Sequence, residues 1–188
     1  SDLTKNIFSK NKIISYEKIE DLRYGENPHQ TAAIYNLQGK NDQIKQLSGK
    51  KLSYNNYNDL YSALQLSKSL PSNRGTVILK HSNPCGVSID TNKLKSYLLA
   101  LKCDTVSAYG GIVSCNFKIS KKLAKEINKL YFEIVIGNGF DADALKVLKK
   151  KKNLRIIDAN KFLLTEQLNT ISNSNTVLFQ STDNKKFN

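Results

Sequence analysis

Residues 111–157 read GIVSCNFKISKKLAKEINKLYFEIVIGNGFDADALKVLKKKKNLRII, and their rhythm decides the fold. Gly111–Cys115 is a short apolar run rich in β-branched residues, as a buried strand requires. Ser120 is placed to cap a helix carrying Leu123, Ile127 and Leu130 on one face. Glu133–Ile136 is a second apolar run. Asp141 then caps a helix that buries Leu145 and Leu148, and Leu154–Ile157 supplies a third run. Strands alternating with helices of about three turns are the pattern of βαβ units, whose sheet is covered on both faces. The expected fold class is α/β, a three-layer α/β/α arrangement with a mixed sheet.

The same alternation extends outward. Tyr57, Leu60, Tyr61 and Leu64 recur at helical spacing, and that helix must stop before Pro71. Thr76–Leu79 reads as a strand. Thr91 is expected to cap a helix with Leu94, Tyr97, Leu98 and Leu101 on its buried face, and Thr176–Phe179 is a further strand candidate. Residues 1–20 are polar and read as a lead-in, with one domain over 21–188.

Composition bounds the function. The chain has 188 residues, 39% of them hydrophobic, enough for one domain with its own core. Its longest apolar runs, such as Tyr97–Leu101, are far shorter than the roughly 18 residues of a membrane span, so no membrane is expected as a partner. The opening Ser1-Asp2-Leu3-Thr4-Lys5-Asn6 lacks both a secretory pattern and an initiator Met, and reads as a cut or processed end. Cys85, Cys103 and Cys115 form no CxxC pair, which fits a reducing cytoplasm and argues against structural zinc. The net charge of +13 invites a nucleic-acid reading. The lysines are spread out, however, and the one dense run, Lys149–Lys152, has no interleaved aromatics for stacking. A solvated helix end explains that run better, and no nucleic acid is expected as a partner.

Three polar clusters could carry chemistry. Both histidines lie beside an Asn-Pro turn. In KHSNPCG (80–86), Lys80 and His81 can converge only where the strand at 76–79 ends, and Pro84 and Gly86 are expected to mark the turn. Carboxyl ends of strands are where open α/β sheets place ligands. A neutral imidazole can take a proton near pH 7, and an ammonium can steady developing negative charge. From this segment alone the plainer reading, a surface lysine and a histidine bonded to loop backbone, has a slight edge. RYGENPHQ (23–30) gathers Arg23, Tyr24, Asn27 and His29; the arginine fork suits phosphate or carboxylate, although any polar loop would hold several such residues. DTVSAYGG (104–111) ends in paired glycines that admit close approach by a ligand or simply make a tight turn. Glu133 opens an apolar strand, and either meets a polar ligand or sits at its wet end.

Together these clusters resemble the AICAR transformylase domain of the bifunctional purine biosynthesis proteins. LRYGENPHQ (22–30), GKKLSYNN (49–56), KHSNPCGV (80–87), DTVSAYGG (104–111) and EIVIGNGFDADALKVLKKKKNLRI (133–156) follow in the order and spacing of that domain's first half. The resemblance implies a cytidine-deaminase-like fold and formyl transfer from 10-formyltetrahydrofolate to the amine of AICAR, in the purine pathway. It implies Lys80 as the transition-state cation and His81 as the proton acceptor. Arg23, Tyr24, His81, Gly110 and Glu133 become nucleotide contacts, with Asn27, His29 and Asn83 as further candidates. It implies a cytoplasmic homodimer whose site also needs the second half of the domain, so that this half alone should not turn over, and no metal in this half. Three departures stand out. Tyr109 replaces the usual Phe, Gly137-Asn138-Gly139 replaces an Ala-Pro-Ser type of turn, and Ser172–Asn175 stands where a glycine-rich segment is expected.

Two other classes compete. A zinc deaminase would need P-C-x-x-C, but Pro84-Cys85 is followed by Gly86, Val87 and Ser88. A zinc-independent nucleotide-binding module or a basic nucleic-acid-binding domain would draw on the charge alone.

Overall fold

In the computed structural model, which describes residues 8–40, 44–164 and 169–181, the segment that opens the sequence reading folds as alternating strands and helices. Among the described residues, ten strands and four helices occur in the order β1 (Tyr16–Leu22), β2 (Ala32–Leu37), β3 (Lys45–Ser48), α1 (Tyr54–Ser69), β4 (Gly75–Lys80), β5 (Asn83–Ile89), α2 (Lys93–Cys103), β6 (Ile112–Cys115), α3 (Lys121–Ile127), β7 (Ile134–Gly137), α4 (Ala142–Leu148), β8 (Arg155–Asp158), β9 (Asn169–Asn173) and β10 (Thr176–Gln180). Six strands form the central sheet in the order β3-β8-β7-β6-β4-β5. The helical crossovers make β6, β7 and β8 parallel, whereas β4 runs antiparallel to both β5 and β6. The expected α/β class with a mixed sheet is observed.

Side-chain alternation along the strands builds two cores. Val77, Leu79, Ile112, Ile134, Ile136 and Ile157 face α1 and its Leu60 and Leu64. Ile78, Val113, Val135 and Ile156 face the opposite way, onto Tyr97 of α2, Leu123 and Ile127 of α3, and Leu148 of α4. The sheet is therefore sandwiched between α1 and the other three helices.

Helix starts follow from capping chemistry. Ser53 and Asn56 form a reciprocal capping box at α1, and Ser120 accepts from the Leu123 N–H at α3. Two expected caps differ. The cap of α2 is Asn92, whose amide oxygen accepts from the N–H groups of both Leu94 and Lys95; Thr91 lies one residue too early. Asp141 holds the N-cap position of α4 but makes no side-chain cap bond, because its carboxylate pairs with Lys118 at 2.8 Å. Leu98, expected on the buried face of α2, is 44% exposed, and Ala100 is buried instead. Lys151, in the lysine run, is more than a solvated end: its Nζ donates to the carbonyls of Asn128 and Leu130 beyond α3.

Five strands, β1, β2, β3, β5 and β9, escape the sequence pattern. β1 begins at Tyr16, inside the segment read as lead-in, and pairs with β2 as a separate hairpin. The candidate strand at 176–179 exists as β10, which pairs with β9 in a two-stranded sheet outside the central one. β5 occupies residues expected to form a turn. The turn is His81–Ser82, both at positive φ (50° and 59°), joining β4 to β5 as a tight hairpin. Pro84 instead lies within β5, which is tolerated because β5 is an edge strand. Gly86 lets α2 pack close, since a Cβ there would collide with the Ala100 carbonyl.

Candidate functional site

Because β4 runs against β6, its carboxyl end shares a sheet edge with the amino ends of β6, β7 and β8. Leu79, Ile112, Ile134 and Arg155 form one row across four strands, about 14 Å at ordinary strand spacing. The polar candidates cluster just beyond this row. The ligand rule for carboxyl ends of parallel strands therefore does not describe this edge, although the rule prompted the expectation. The edge is set by the reversal of β4.

Lys80 Nζ donates to the Tyr109 carbonyl at 2.9 Å, tying the end of β4 to the 104–111 loop. Asp104 organises that loop by accepting from the Val106 and Ser107 N–H groups. The Ser107 hydroxyl first, and then these N–H bonds, hold its carboxyl below the usual range. The two glycines differ. Gly110 takes φ 75°, and a Cβ there would meet only the Tyr131 ring at 3.8 Å. Gly111 is packed by the molecule itself, since a Cβ would sit 2.7 Å from the Leu79 carbonyl. Gly111 therefore serves strand packing, and the open face belongs to Gly110.

Glu133 follows in the row, its N–H on the Gly111 carbonyl and its own carbonyl accepting from Arg155 N–H. Its carboxylate is held from two sides. Asn56 Nδ2 donates to Oε2 at 3.2 Å, and Arg155 Nη1 lies 3.9 Å from the same oxygen. The Arg155 side chain is only 15% exposed and also donates from Nε to the Lys51 carbonyl. Asn56 spends its other amide atom on the capping box, accepting from Ser53 N–H. One buried side chain thus both starts α1 and fixes Glu133.

Arg23 and Tyr24 follow β1, with the guanidinium 5.7 Å from the centre of the phenol ring. They line a cleft of about 300 Å³ together with Lys50, Lys51, Ser53 and Arg155. Glu20 also lines it, with Lys51 Nζ 3.5 Å from its carboxylate. Arg155 therefore joins the Arg23–Tyr24 cleft to Glu133.

The remaining candidates are placed less centrally. His81 is exposed at the hairpin tip, and its carbonyl accepts from Asn83 Nδ2. The tip is moored to α1, since Ser82 Oγ donates to Asp59 Oδ1 at 2.9 Å. Asn27 closes its own loop, its N–H on Gln30 Oε1 and its carbonyl accepting from Gln30 N–H. His29 is exposed, and neither it nor Asn27 lines the Arg23 cleft. Lys80, His81 and Gly110 also lie outside that cleft's wall. The structure brings Lys80, Gly110 and Glu133 to one edge and Arg23 and Tyr24 to Arg155 beside it. It leaves the His81 side chain in solvent. Burial and the nearby Asp104 charge push the Cys85 thiol up, the opposite of what a thiolate ligand needs. No group of three or more His, Cys, Asp and Glu able to hold a metal occurs among the described residues.

Sequence reading missed Asn56, Arg155 and the role of α1. GKKLSYNN contained the signal, since Ser53 and Asn56 have capping-box spacing. Arg155 was legible only as part of an apolar strand.

The sequence profile of the AICARFT/IMPCHase bienzyme family matches residues 2–188. The chain belongs to this family. It is 46% identical over 177 residues to the bifunctional purine biosynthesis protein PurH of Clostridium acetobutylicum, covering 92% of this chain and 35% of that one. It is 42% identical over 194 residues to PurH of Prochlorococcus marinus strain MIT 9515, covering 97% and 38%. The chain thus spans little more than a third of the length of these relatives. In this member of the AICARFT/IMPCHase bienzyme family, the edge from Lys80 to Arg155 brings together Lys80, Tyr109, Asn56, Glu133 and Arg155. No helix among the described residues is long and apolar enough to cross a membrane.

Proposed function

We propose that this chain forms the first half of an AICAR formyltransferase domain, with its nucleotide bound along the edge from Arg23 to Lys80. The observation that carries the reading is the Lys80–Tyr109 hydrogen bond beside Gly110 and the Glu133 carboxylate held by Asn56 and Arg155, which gathers four of the five sequence motifs at one sheet edge.

Each group has a task in that reaction. The cationic wall of Arg23, Lys50, Lys51 and Arg155 suits a phosphate ester, and Glu133 can accept from a ribose hydroxyl. The acceptor amine is a weak nucleophile because its lone pair is delocalised into the ring and carboxamide. As its nitrogen bonds to the formyl carbon of 10-formyltetrahydrofolate, it must lose a proton, and the acceptor in this reading is His81. Lys80 retains two ammonium hydrogens beyond its bond to Tyr109, and can steady the oxygen that gains charge. The carbon–N10 bond then breaks, N10 takes up a proton, and the formyl group stays on the amine. His81 must turn inward from its exposed position, which fits a site completed by the second half of the domain and by a partner subunit in a cytoplasmic homodimer.

The test is a chimera in which this chain replaces the matching segment of the Clostridium acetobutylicum relative. Formyl transfer from 10-formyltetrahydrofolate to AICAR is expected in the chimera and not in the chain alone. His81→Ala should lower turnover by about 10²–10⁴-fold, the usual worth of a general base, without unfolding the protein. Near-normal turnover would remove His81 from the mechanism.

A further inference from the structure

The opposite edge of the sheet, where β6, β7 and β8 end, holds a second cleft of about 310 Å³. Lys68, Leu70, Asn116, Asn138, Asn160 and Phe162 contribute to its wall. We propose that this cleft binds a small organic monocarboxylate, its anionic end on Lys68 Nζ and its apolar body against Leu70 and Phe162. This site is independent of the nucleotide reading.

Lys68 lies in the last turn of α1. Its Nζ donates to Asn138 Oδ1 at 2.6 Å and to the Ala159 carbonyl at 3.1 Å. Both acceptors are neutral, and an ammonium has three hydrogens, so one remains for a ligand. No ion pair among the described residues includes Lys68. Burial lowers its pKa, with the charge of Asp158 acting the other way. A partly desolvated cation in no direct ion pair, with Asp158 nearby but not bonded to it, gains from an incoming carboxylate.

The cleft is preorganised. Asn116 is 4% exposed. Its Oδ1 accepts from the Arg74 and Gly75 N–H groups, while its Nδ2 shares its two hydrogens among the carbonyls of Ser67, Leu70 and Pro71. The Asn116 carbonyl in turn accepts from Asn138 Nδ2, and Asn138 Oδ1 holds Lys68. Asn138 belongs to the Gly137-Asn138-Gly139 turn, and its amide aims Lys68. The nearby Asp158, whose Oδ1 accepts from the Gly139 and Asn160 N–H groups, sets the charge preference. One ammonium beside a fixed carboxylate suits a monoanion better than a phosphate dianion. Leu70 and Phe162 give the wall an apolar side that inorganic phosphate cannot use.

The experiment titrates the 188-residue chain with benzoate, acetate and inorganic phosphate, read by amide NMR shifts. Benzoate is expected to give saturable shifts at Asn138, Gly139 and Asn160, and to bind about tenfold or more tightly than phosphate, with acetate between them. Lys68→Met should weaken benzoate by at least about tenfold. In the wild-type chain the Lys68 ¹³Cε titration should move upward when benzoate is added. This second reading decides the matter if Lys68→Met fails to fold. No saturable shift at these amides, tighter phosphate binding, an unmoved Lys68 titration or unchanged binding by a folded Lys68→Met chain would overturn the proposal.

Discussion

The two edges of the central sheet are built from similar residue types and do different things with them. At the Lys80 edge, polar groups keep spare capacity: Lys80 makes one hydrogen bond to a carbonyl, and Glu133 is 43% exposed. At the Asn116 edge, polar groups are spent on structure, as the five bonds of buried Asn116 show. A polar side chain that is buried and fully bonded holds the fold. One that is positioned but unsaturated is available for a substrate. Lys68 is the exception on the second edge, a cation with a hydrogen left over.

Substitutions on the two edges should therefore separate activity from stability. The largest effect is expected for Lys80→Met in the chimera, which should lose about 10²–10³-fold in kcat while its melting temperature stays near that of the parent. A normal kcat would remove Lys80 from the reaction. Asn116→Ala should do the reverse. It strands the buried Gly75 N–H and three carbonyls, costing roughly 3 kcal/mol in urea unfolding, while turnover per folded molecule is kept. A loss below about 1 kcal/mol would mean that water replaces the amide.

The glycines sharpen the comparison within one edge. Gly111→Ala must push Cβ against the Leu79 carbonyl and should cost about 2 kcal/mol of stability. Gly110→Ala has room and suffers only its positive φ, about 1 kcal/mol. Equal costs would mean that the loop relaxes.

The smallest effect at neutral pH belongs to the core between the edges. Burial pushes the Cys115 thiol up from 9.0 to about 12, and burial also raises the Tyr97 phenol. Groups whose folded pKa is raised favour the protonated fold, so their contribution is intact below pH 9 and lost as pH climbs toward 12. Alkaline unfolding should become shallower in Cys115→Ala than in the parent chain. Identical alkaline limbs would show that Cys115 ionises no differently in the two states.

How much of this was legible in the sequence follows from what each signal depends on. Strands β4, β6, β7 and β8 and all four helices are written in local periodicity, because burial of one face repeats every two or about 3.6 residues. β5 was hidden by Pro84 and Gly86. Both are ordinary turn residues, and only the edge position and the close approach of α2 make them strand residues. Lys80, Glu133 and Arg23 were visible as chemistry-bearing types in short motifs. Arg155 and Asn56 were not, since their importance lies in contacts with Glu133 that span 22 and 77 residues of sequence. The shared edge itself depends on β4 running against β6, which no local pattern encodes.

A crystal structure of the chimera with AICAR bound tests the central claim most directly. The nucleotide should lie along the Lys80–Arg155 edge, with its phosphate among Arg23, Lys50, Lys51 and Arg155 and its amine within hydrogen-bond reach of His81. A nucleotide seated at the Asn116 edge, or held without Lys80, Glu133 and Arg23, would contradict the account.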